Sequence, residues 1–329
     1  MLLAALAAVV VVVVLLSSGS GGQSGSAHRT AAVAASRSRH PRARTAPTLA
    51  ARTGGRLPAP VQNPATAALP SGQAMLAGGL DQADMSVAGI ELAGPSGARS
   101  AGTLPVALHD AAASTVGSSA YVFGGGEPSR AQILRVTPGR GAVQVGTLPQ
   151  PASDVAAATI GGTAYVVGGY TGQLPLATIS AWSPGTSRAR LVARLPKPLR
   201  YAAVAAAGGK LVIAGGTSGI AASRDVYLFD PASRRVRTLA TLPHPLTHAA
   251  AATLGGTVYV LGGRGAALGT QTSAILAIDP ARGSVRRAGR LPRALSDAGA
   301  ATLGARILLA GGRDAAGGVR SDVLLLSPR

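Results

Sequence analysis

Polar side chains of several chemical kinds recur at one fixed place in a repeated pattern. The dipeptide Leu-Pro recurs once at the same place in each of six repeated units, and the residue six positions after each of these leucines is polar or polar-tipped. These residues are Asn63, Asp110, Asp154, Tyr201, His248 and Asp297. Carboxylates beside an imidazole can act as general acids and bases, or can bind the hydroxyls of a sugar. The residues one position earlier include His109, Ser153, Arg200, Thr247 and Ser296, which add a cation and further hydroxyls.

The elements that must position these side chains follow from the repeat itself. The leucines are Leu57, Leu104, Leu148, Leu195, Leu242 and Leu291, spaced by 44 to 49 residues, and a Gly-Gly closes an apolar run in each unit. In the unit that starts at Leu242, the pattern predicts strands over 249–253, 257–261, 273–278 and 284–290, with glycine or proline turns between them. Four short strands at this period are typical of a β-propeller blade.

The ends of the repeat indicate how the ring closes. The sixth unit ends at its third strand, over 322–326, and therefore lacks an outer strand. The segment 49–57 precedes the first Leu-Pro and is similar to the outer strands of later units. An N-terminal strand that completes the last blade would cover both open sheet edges. The sequence therefore predicts an all-β, six-bladed propeller of four-stranded blades, with the last blade closed by an N-terminal strand.

The repeat resembles the Kelch-repeat β-propellers over roughly residues 49–329. The resemblance rests on Tyr-Val-x-Gly-Gly at Tyr121, Tyr165 and Tyr259 and on Asp-Pro at Asp230 and Asp279. The family usually has a Trp in the fourth strand, where this chain has Val143, Leu191, Val236 and Val285. The resemblance implies a propeller that recognises a protein or a glycan. Six-bladed sugar mutarotases are also among the Kelch-type proteins, so it implies a carbohydrate-active enzyme as an alternative.

The first strand of each propeller blade lines the central channel, so the six repeated polar residues should meet at one mouth of that channel. We call Asn63, Asp110, Asp154, Tyr201, His248 and Asp297 the channel-mouth ring. Together with Arg200 they form the candidate binding site. The alternative is a structural ring, in which these groups bond backbone or hold channel water. No residue is assigned a catalytic role, and no metal ligand set or cofactor motif is predicted.

The N-terminal part of the chain differs from the repeat. Residues 2–16 contain no polar side chain, and eleven of these fifteen are Val or Leu, which predicts a membrane segment over 1–17, either a signal peptide or a short anchor. Residues 18–47 are rich in Ser, Gly, Ala and Arg, which predicts a disordered tether that can contact anionic surfaces. Residues 48–329 form the predicted propeller. The expected location is extracytoplasmic, either membrane-anchored or secreted.

Composition narrows the function classes. The 329-residue chain has no cysteine, which excludes disulfides, thiolate nucleophiles and cysteine-bound metals. Its net charge is +19, but aromatic residues make up only 3% of it, so nucleic acid is a poor candidate partner. We expect a monomer that recognises an unidentified protein or glycan and that acts as a binding module, not as an enzyme. The alternatives are a mutarotase-type enzyme and a cytoplasm-facing scaffold.

Overall fold

Every regular element among residues 46–329, which the computed structural model describes, is a β-strand. The N-terminal strand β1 spans Leu49–Arg56. The predicted membrane segment over 1–17 lies outside the described residues, as does nearly all of the predicted tether. No helix within the described range is long and apolar enough to cross a membrane.

Sixteen strands form four separate antiparallel sheets, each built from four consecutive strands of the chain. Sheet 1 contains β2 Ala65–Ala68, β3 Ala74–Ala77, β4 Gly89–Gly94 and β5 Gly97–Thr103. Sheet 2 contains β6 Ala112–Val116, β7 Ser119–Phe123, β8 Gln132–Thr137 and β9 Gly141–Thr147. Sheet 3 contains β10 Ala156–Ile160, β11 Thr163–Val167, β12 Thr178–Trp182 and β13 Arg190–Arg194. Sheet 4 contains β14 Ala203–Ala207, β15 Lys210–Ala214, β16 Ser223–Asp230 and β17 Arg235–Leu246.

The remaining long strands form one continuous sheet of eight, which differs from the six separate four-stranded blades that the sequence predicts. Its further strands are β18 Ala250–Leu254, β19 Thr257–Leu261, β20 Ala274–Asp279, β21 Ser284–Arg290, β23 Gly299–Leu303, β24 Arg306–Ala310 and β26 Asp322–Pro328. A small pair, β22 Leu295–Ser296 and β25 Arg313–Asp314, lies apart. The strand order is β18-β19-β20-β21-β1-β26-β24-β23.

The eight-stranded sheet is continuous because β1 contacts a strand on each side. It pairs antiparallel with β26 from Leu49, opposite Pro328, to Arg56, opposite Asp322. On its other side it meets β21 through a single parallel pair, Leu49 with Gly289. The long pairing with β26 places the N-terminal strand beside the C-terminal strand, and the single pair is enough to join the two halves of the sheet.

The six innermost strands form a closed circle. Strand β2 contacts β6, and the contacts continue through β10, β14, β18 and β23 back to β2. Six apolar core clusters fill the spaces between consecutive sets of four strands, and one of them lies between the two halves of the eight-stranded sheet. The arrangement is a β-propeller, in which each sheet buries its apolar faces only against its neighbours.

The Gly-Gly pairs explain how neighbouring sheets can approach so closely. At Gly262 the backbone φ is +62°, and a Cβ there would lie 2.2 Å from the carbonyl oxygen of Leu295. The N–H of Gly263 donates to that same oxygen at 2.8 Å. The other five pairs repeat both features, so the motif is required by the left-handed backbone and by contact with the next unit.

Candidate functional site

The channel-mouth ring consists of six equivalent positions, each two residues before an innermost strand. All six residues have a left-handed backbone, with φ between +51° and +60°. Asn, Asp and His tolerate this conformation better than most residues, so the backbone itself favours five of these six side chains. Tyr201 is the exception, because a bulky residue rarely adopts a positive φ.

Backbone hydrogen bonds connect the ring from one unit to the next. The N–H of Asp154 donates to the carbonyl of Asp110 at 2.8 Å, and that of Tyr201 donates to the carbonyl of Asp154 at 3.1 Å. His248, Asp297 and Asn63 continue the series at 2.7 to 3.1 Å, each donating to the preceding ring residue. The structure therefore brings all six predicted residues together, around a cavity of about 120 Å³.

Tyr201 connects opposite parts of the ring through its side chain. Its hydroxyl donates to Oδ2 of Asp110 at 2.9 Å, across the unit that carries Asp154. Its ring stacks on the imidazole of His248, with centroids 3.7 Å apart and an angle of 23° between the planes. The tyrosine thus fixes both an acid and an imidazole, which gives a local reason for its unusual backbone.

Arg200 supplies the cation of the site. Its Nε forms an ion pair with Oδ2 of Asp154, which is almost fully buried. The guanidinium carbon also lies 3.9 Å from the ring centroid of Tyr170 and 5.3 Å from that of Tyr201. These contacts hold Arg200 between the rings of two tyrosines. Because its side chain is already fixed, the guanidinium loses little conformational entropy when it donates to a hydrogen-bond acceptor of a ligand.

His248 and Asp297 form the other side of the mouth. Nη2 of Arg264 lies 3.0 Å from Nε2 of His248, and a guanidinium can only donate, so Nε2 is the acceptor. In the neutral imidazole the proton then resides on Nδ1. Oδ1 of Asp297 lies 3.9 Å from the same Nε2, and its Oδ2 accepts a hydrogen bond from Ser296.

Burial dominates the electrostatics of the ring. It lowers the pKa of His248 well below its ordinary value, as do the nearby charges of Arg264 and Arg200. Burial raises the pKa of Asp110 well above the ordinary value for aspartate, and the neighbouring Asp154 carboxylate raises it further. The pKa of Asp297 is raised to about 6 by burial. Near neutral pH the imidazole of His248 is therefore neutral, and the carboxyl group of Asp110 keeps its proton more readily than an exposed aspartate does.

Two polar atoms of the ring are buried without a hydrogen-bond partner among the described residues. They are Oδ1 of Asp110 and Nδ1 of His248. An unpartnered buried polar atom is unfavourable by roughly 1–3 kcal/mol. Both residues line the cavity at the channel mouth, so a ligand or water in that cavity can supply the missing partners.

A larger space, which we call the side cavity, adjoins the ring on the same face. Its volume is about 550 Å³, within the range typical of small-molecule sites. It shares Asp110, Asp154 and Tyr201 with the ring and also contains Arg200 and His109. Its outer wall consists of Glu127, Pro128, Ser129, Tyr170 and Gly172, which belong to the loops after β7 and β11.

The loops reach the ring because short backbone bridges anchor them there. Ser153 pairs with Tyr170, Arg200 with Thr217 and Thr247 with Arg264, and in each case a residue beside the ring meets one just after a Gly-Gly. Tyr170 and Glu127 lie beside the ring but are not among its predicted residues. The repeat could have indicated Tyr170, because the residue after each Gly-Gly occupies an equivalent position in its unit, next to the residue that precedes a ring residue.

The neighbours of the ring divide into two groups. Nδ1 of His109 shares a hydrogen bond of 2.7 Å with the hydroxyl of Ser86, and its Nε2 lies 3.7 Å from Oδ2 of Asp110. His109 therefore belongs to the site. Ser153 and Ser296 are buried and bond nearby hydroxyl or carboxylate groups. Within residues 46–329, no three His, Asp or Glu side chains converge as a metal site.

Comparisons with known proteins support the repeat and the fold. The Kelch motif matches residues 151–188 and 198–243, which include the first three strands of sheet 3 and most of sheet 4. No curated protein matches the chain. A solved structure described as "Structure of YjhT" is similar with a TM-score of 0.69 and 15% sequence identity, over 83% of this chain and 96% of that one. At this identity the likeness shows the fold. The chain is therefore a β-propeller with Kelch motifs, as the sequence predicts.

Proposed function

We propose that this protein is a recognition module that binds a glycan or a protein side chain at the channel-mouth ring. The observation that carries the proposal is the pair of buried, unpartnered atoms, Asp110 Oδ1 and His248 Nδ1, beside open cavity volume. The protonated Nδ1 is a donor, and the carboxyl oxygen accepts a hydrogen bond or, when protonated, donates one. A hydroxyl-bearing ligand satisfies both atoms.

The side cavity gives the ligand a direction of entry. A group seated at the ring extends past Arg200 and His109 toward the loops after β7 and β11. The guanidinium already stacks on Tyr170, so it offers its remaining N–H donors in a fixed position. A saccharide chain has hydroxyls along its length and suits such an elongated polar space.

Apolar residues around the mouth favour a protein as the carrier of the bound group. Met85, Leu174, Ile220 and Leu268 project from four of the loops that follow the second strands of their units. Each has most of its side chain exposed, and the exposed fraction of Ile220 is 93%. Exposed aliphatic side chains around a polar pocket are typical of a protein-binding surface. The Kelch motifs support a protein- or ligand-binding module of this kind.

One observation favours an enzyme of the mutarotase type as the second candidate. His248 is held neutral and Asp110 favours its protonated form, and Tyr201 joins them by stacking and a hydrogen bond. A base and an acid with pKa values displaced in this way can exchange protons with a sugar. Nuclear magnetic resonance of anomer exchange in candidate sugars separates this function from binding alone.

The proposal includes a six-bladed ring. We infer that the eight-stranded sheet is two blades, β18 to β21 and β23, β24, β26 with β1, joined by one pair of residues. The apolar core between its two halves and the closed circle of six innermost strands support this division. In this arrangement β1 is the outer strand of the last blade.

We also propose that the propeller faces the outside of the cytoplasm, either on a membrane anchor or after secretion. The support is the apolar segment over 2–16. Trypsin added to intact spheroplasts should then cleave the arginine-rich segment between Arg29 and Arg44. Cleavage only after lysis would contradict this location and favour a cytoplasm-facing scaffold.

A binding screen with the full chain tests the function. Glycans, cell-wall fragments and peptides are presented to the wild-type protein and to the double variant Asp110→Asn with His248→Asn. Asparagine tolerates the left-handed backbone, so the fold should be retained. For any ligand bound at the ring, we expect the dissociation constant of the double variant to be roughly tenfold higher or more. A tenfold increase corresponds to a loss of about 1.4 kcal/mol of binding free energy.

The matched control makes the same two substitutions away from the mouth. His244 is exposed on β17, and Asp279 ends β20, so His244→Asn with Asp279→Asn should bind as the wild type does. Equal binding by all three proteins would contradict a site at the ring. It would leave the exposed loop residues as the recognition surface.

A further inference from the structure

A further cavity lies at the end of the sheets opposite the channel mouth, between sheets 3 and 4. Its volume is about 210 Å³. It is bounded by the start of β11, by the turn between β12 and β13, and by the turn between β16 and β17. We call this space the basic cleft, because Arg188, Arg190 and Arg234 line it together with Thr163 and Ser183.

No carboxylate is among the residues that line the basic cleft. Nη2 of Arg188 donates to the carbonyl of Pro149 at 2.6 Å. The guanidiniums of Arg190 and Arg234 make no ion pair with any residue in the described range. Three like charges around one small space repel one another, and this repulsion is relieved when an anion enters.

The equivalent place in sheet 4 differs from that in sheet 3. In sheet 4, Lys210 at the start of β15 pairs with Asp230 at the end of β16, with Nζ 2.6 Å from Oδ2. In sheet 3 the corresponding residues are Thr163 and Ser183, whose hydroxyl oxygens are 3.0 Å apart. Sheet 3 therefore has two hydroxyls where sheet 4 has a charged pair, and this turn carries no acid that would neutralise the nearby arginines.

We infer that the basic cleft binds a tetrahedral oxyanion, that is, a phosphate or sulfate group. Guanidinium groups pair with the oxygens of such anions through two parallel hydrogen bonds. The hydroxyls of Thr163 and Ser183 add neutral donors at the same place. This site is separate from the channel-mouth ring and does not depend on the function proposed there.

The bound anion is either a free ion or the phosphate or sulfate group of an ester, and the lining of the cleft gives these two ligands different affinities. Val192, Tyr165 and Phe229 form part of its lining, so an ester with an apolar body gains contacts that a free ion lacks. Phenyl phosphate that binds more tightly than inorganic phosphate would identify an ester as the ligand. Equal affinity would identify the free ion.

The only tryptophan of the chain provides a direct signal. Trp182 lines the basic cleft, and its indole N–H donates to the carbonyl of Thr186 in the turn that carries Arg188. The full chain is titrated with inorganic phosphate, sulfate or phenyl phosphate at constant ionic strength, and the emission of Trp182 is followed. Isothermal titration calorimetry measures the same dissociation constant independently of the fluorophore.

Three variants test the assignment. Arg190→Gln with Arg234→Gln removes the two unpaired cations, and Ser183→Asp restores the acid found at this turn in sheet 4. Each should raise the dissociation constant by roughly tenfold or more. The control, Arg135→Gln with Arg140→Gln, removes equal charge from exposed positions of sheet 2, and it should leave the constant within about twofold of wild type.

Saturable binding that weakens in the first two variants alone supports the site. The inference is overturned if calorimetry detects no saturable binding to the wild type. It is also overturned if the control loses as much affinity as the cleft variants, because the anion would then respond only to the overall positive charge. Urea unfolding of each variant verifies that its stability is unchanged.

Discussion

Replacing Gly262 with alanine should destabilise the whole propeller, whereas the same change at Gly255 should have a modest effect. The two glycines flank β19 and have nearly the same backbone, with φ of +62° and +57°. They differ in their surroundings. A Cβ at Gly255 would have no heavy atom within 4 Å, but one at Gly262 would lie 2.2 Å from the carbonyl oxygen of Leu295.

The expected magnitudes follow from these two environments. A left-handed backbone with a side chain is unfavourable by about 1–2 kcal/mol, and this contribution is common to both variants. At Gly262 the neighbouring backbone must also move by roughly 1 Å, which breaks the hydrogen bond from Gly263 to Leu295 and loosens the contact between units. The lost bond adds about 0.5–1.5 kcal/mol, and the imperfect packing adds roughly 1–3 kcal/mol. Gly262→Ala should therefore exceed Gly255→Ala by about 2 kcal/mol or more.

Urea unfolding measures the difference, with two probes that report different regions. Far-UV circular dichroism follows all the sheets, and the fluorescence of Trp182 follows sheet 3, away from the substitution. Both midpoints should decrease together in Gly262→Ala, with the slope unchanged. Equal destabilisation by the two variants would refute the reasoning, because the contact between units would then contribute nothing beyond the backbone conformation.

Two further predictions concern closure and pH. Deleting Leu49–Arg56 removes the strand paired with β26 and the buried side chain of Leu49. The melting temperature should therefore decrease by roughly 5 °C or more. A decrease of less than about two degrees would contradict closure of the ring by β1. The pKa of Asp297 is raised to about 6 from 3.8, so its protonated form is favoured in the folded state, and the stability it contributes should be present below pH 4 and lost as the pH rises through 6. The difference in unfolding free energy between the wild type and Asp297→Asn should thus decrease by roughly 2–3 kcal/mol from pH 4 to pH 7. If this difference does not change with pH, Asp297 is not buried as described.

Local patterns in the sequence were sufficient for the individual strands. The strands predicted over 257–261 and 284–290 agree with β19 and β21, because short segments bounded by glycine or proline turns specify strands almost independently of the rest of the chain. The repeat also placed the six polar residues at one mouth, since equivalent positions in a ring of units must lie side by side. Whether that mouth binds a ligand stays a prediction.

The contacts across units required the tertiary structure. Tyr201 bonds Asp110 from 91 residues away, and Arg200 selects Asp154 and Tyr170 as partners. A repeat specifies backbone positions but leaves side-chain rotamers open, so sequence alone does not show which neighbours meet. The displaced pKa values depend in the same way on burial, which only the assembled sheets create.

Strand and turn preferences act over a few residues, so the amino-acid sequence alone specifies the repeated unit and its period. How the units join depends on the tertiary structure. A single pair, Leu49 with Gly289, merges eight strands into one sheet. Arg190 and Arg234 both line the basic cleft although they are 44 positions apart in the sequence. Such contacts depend on distances of a few ångströms between units, and those distances are set by the packing of the complete ring.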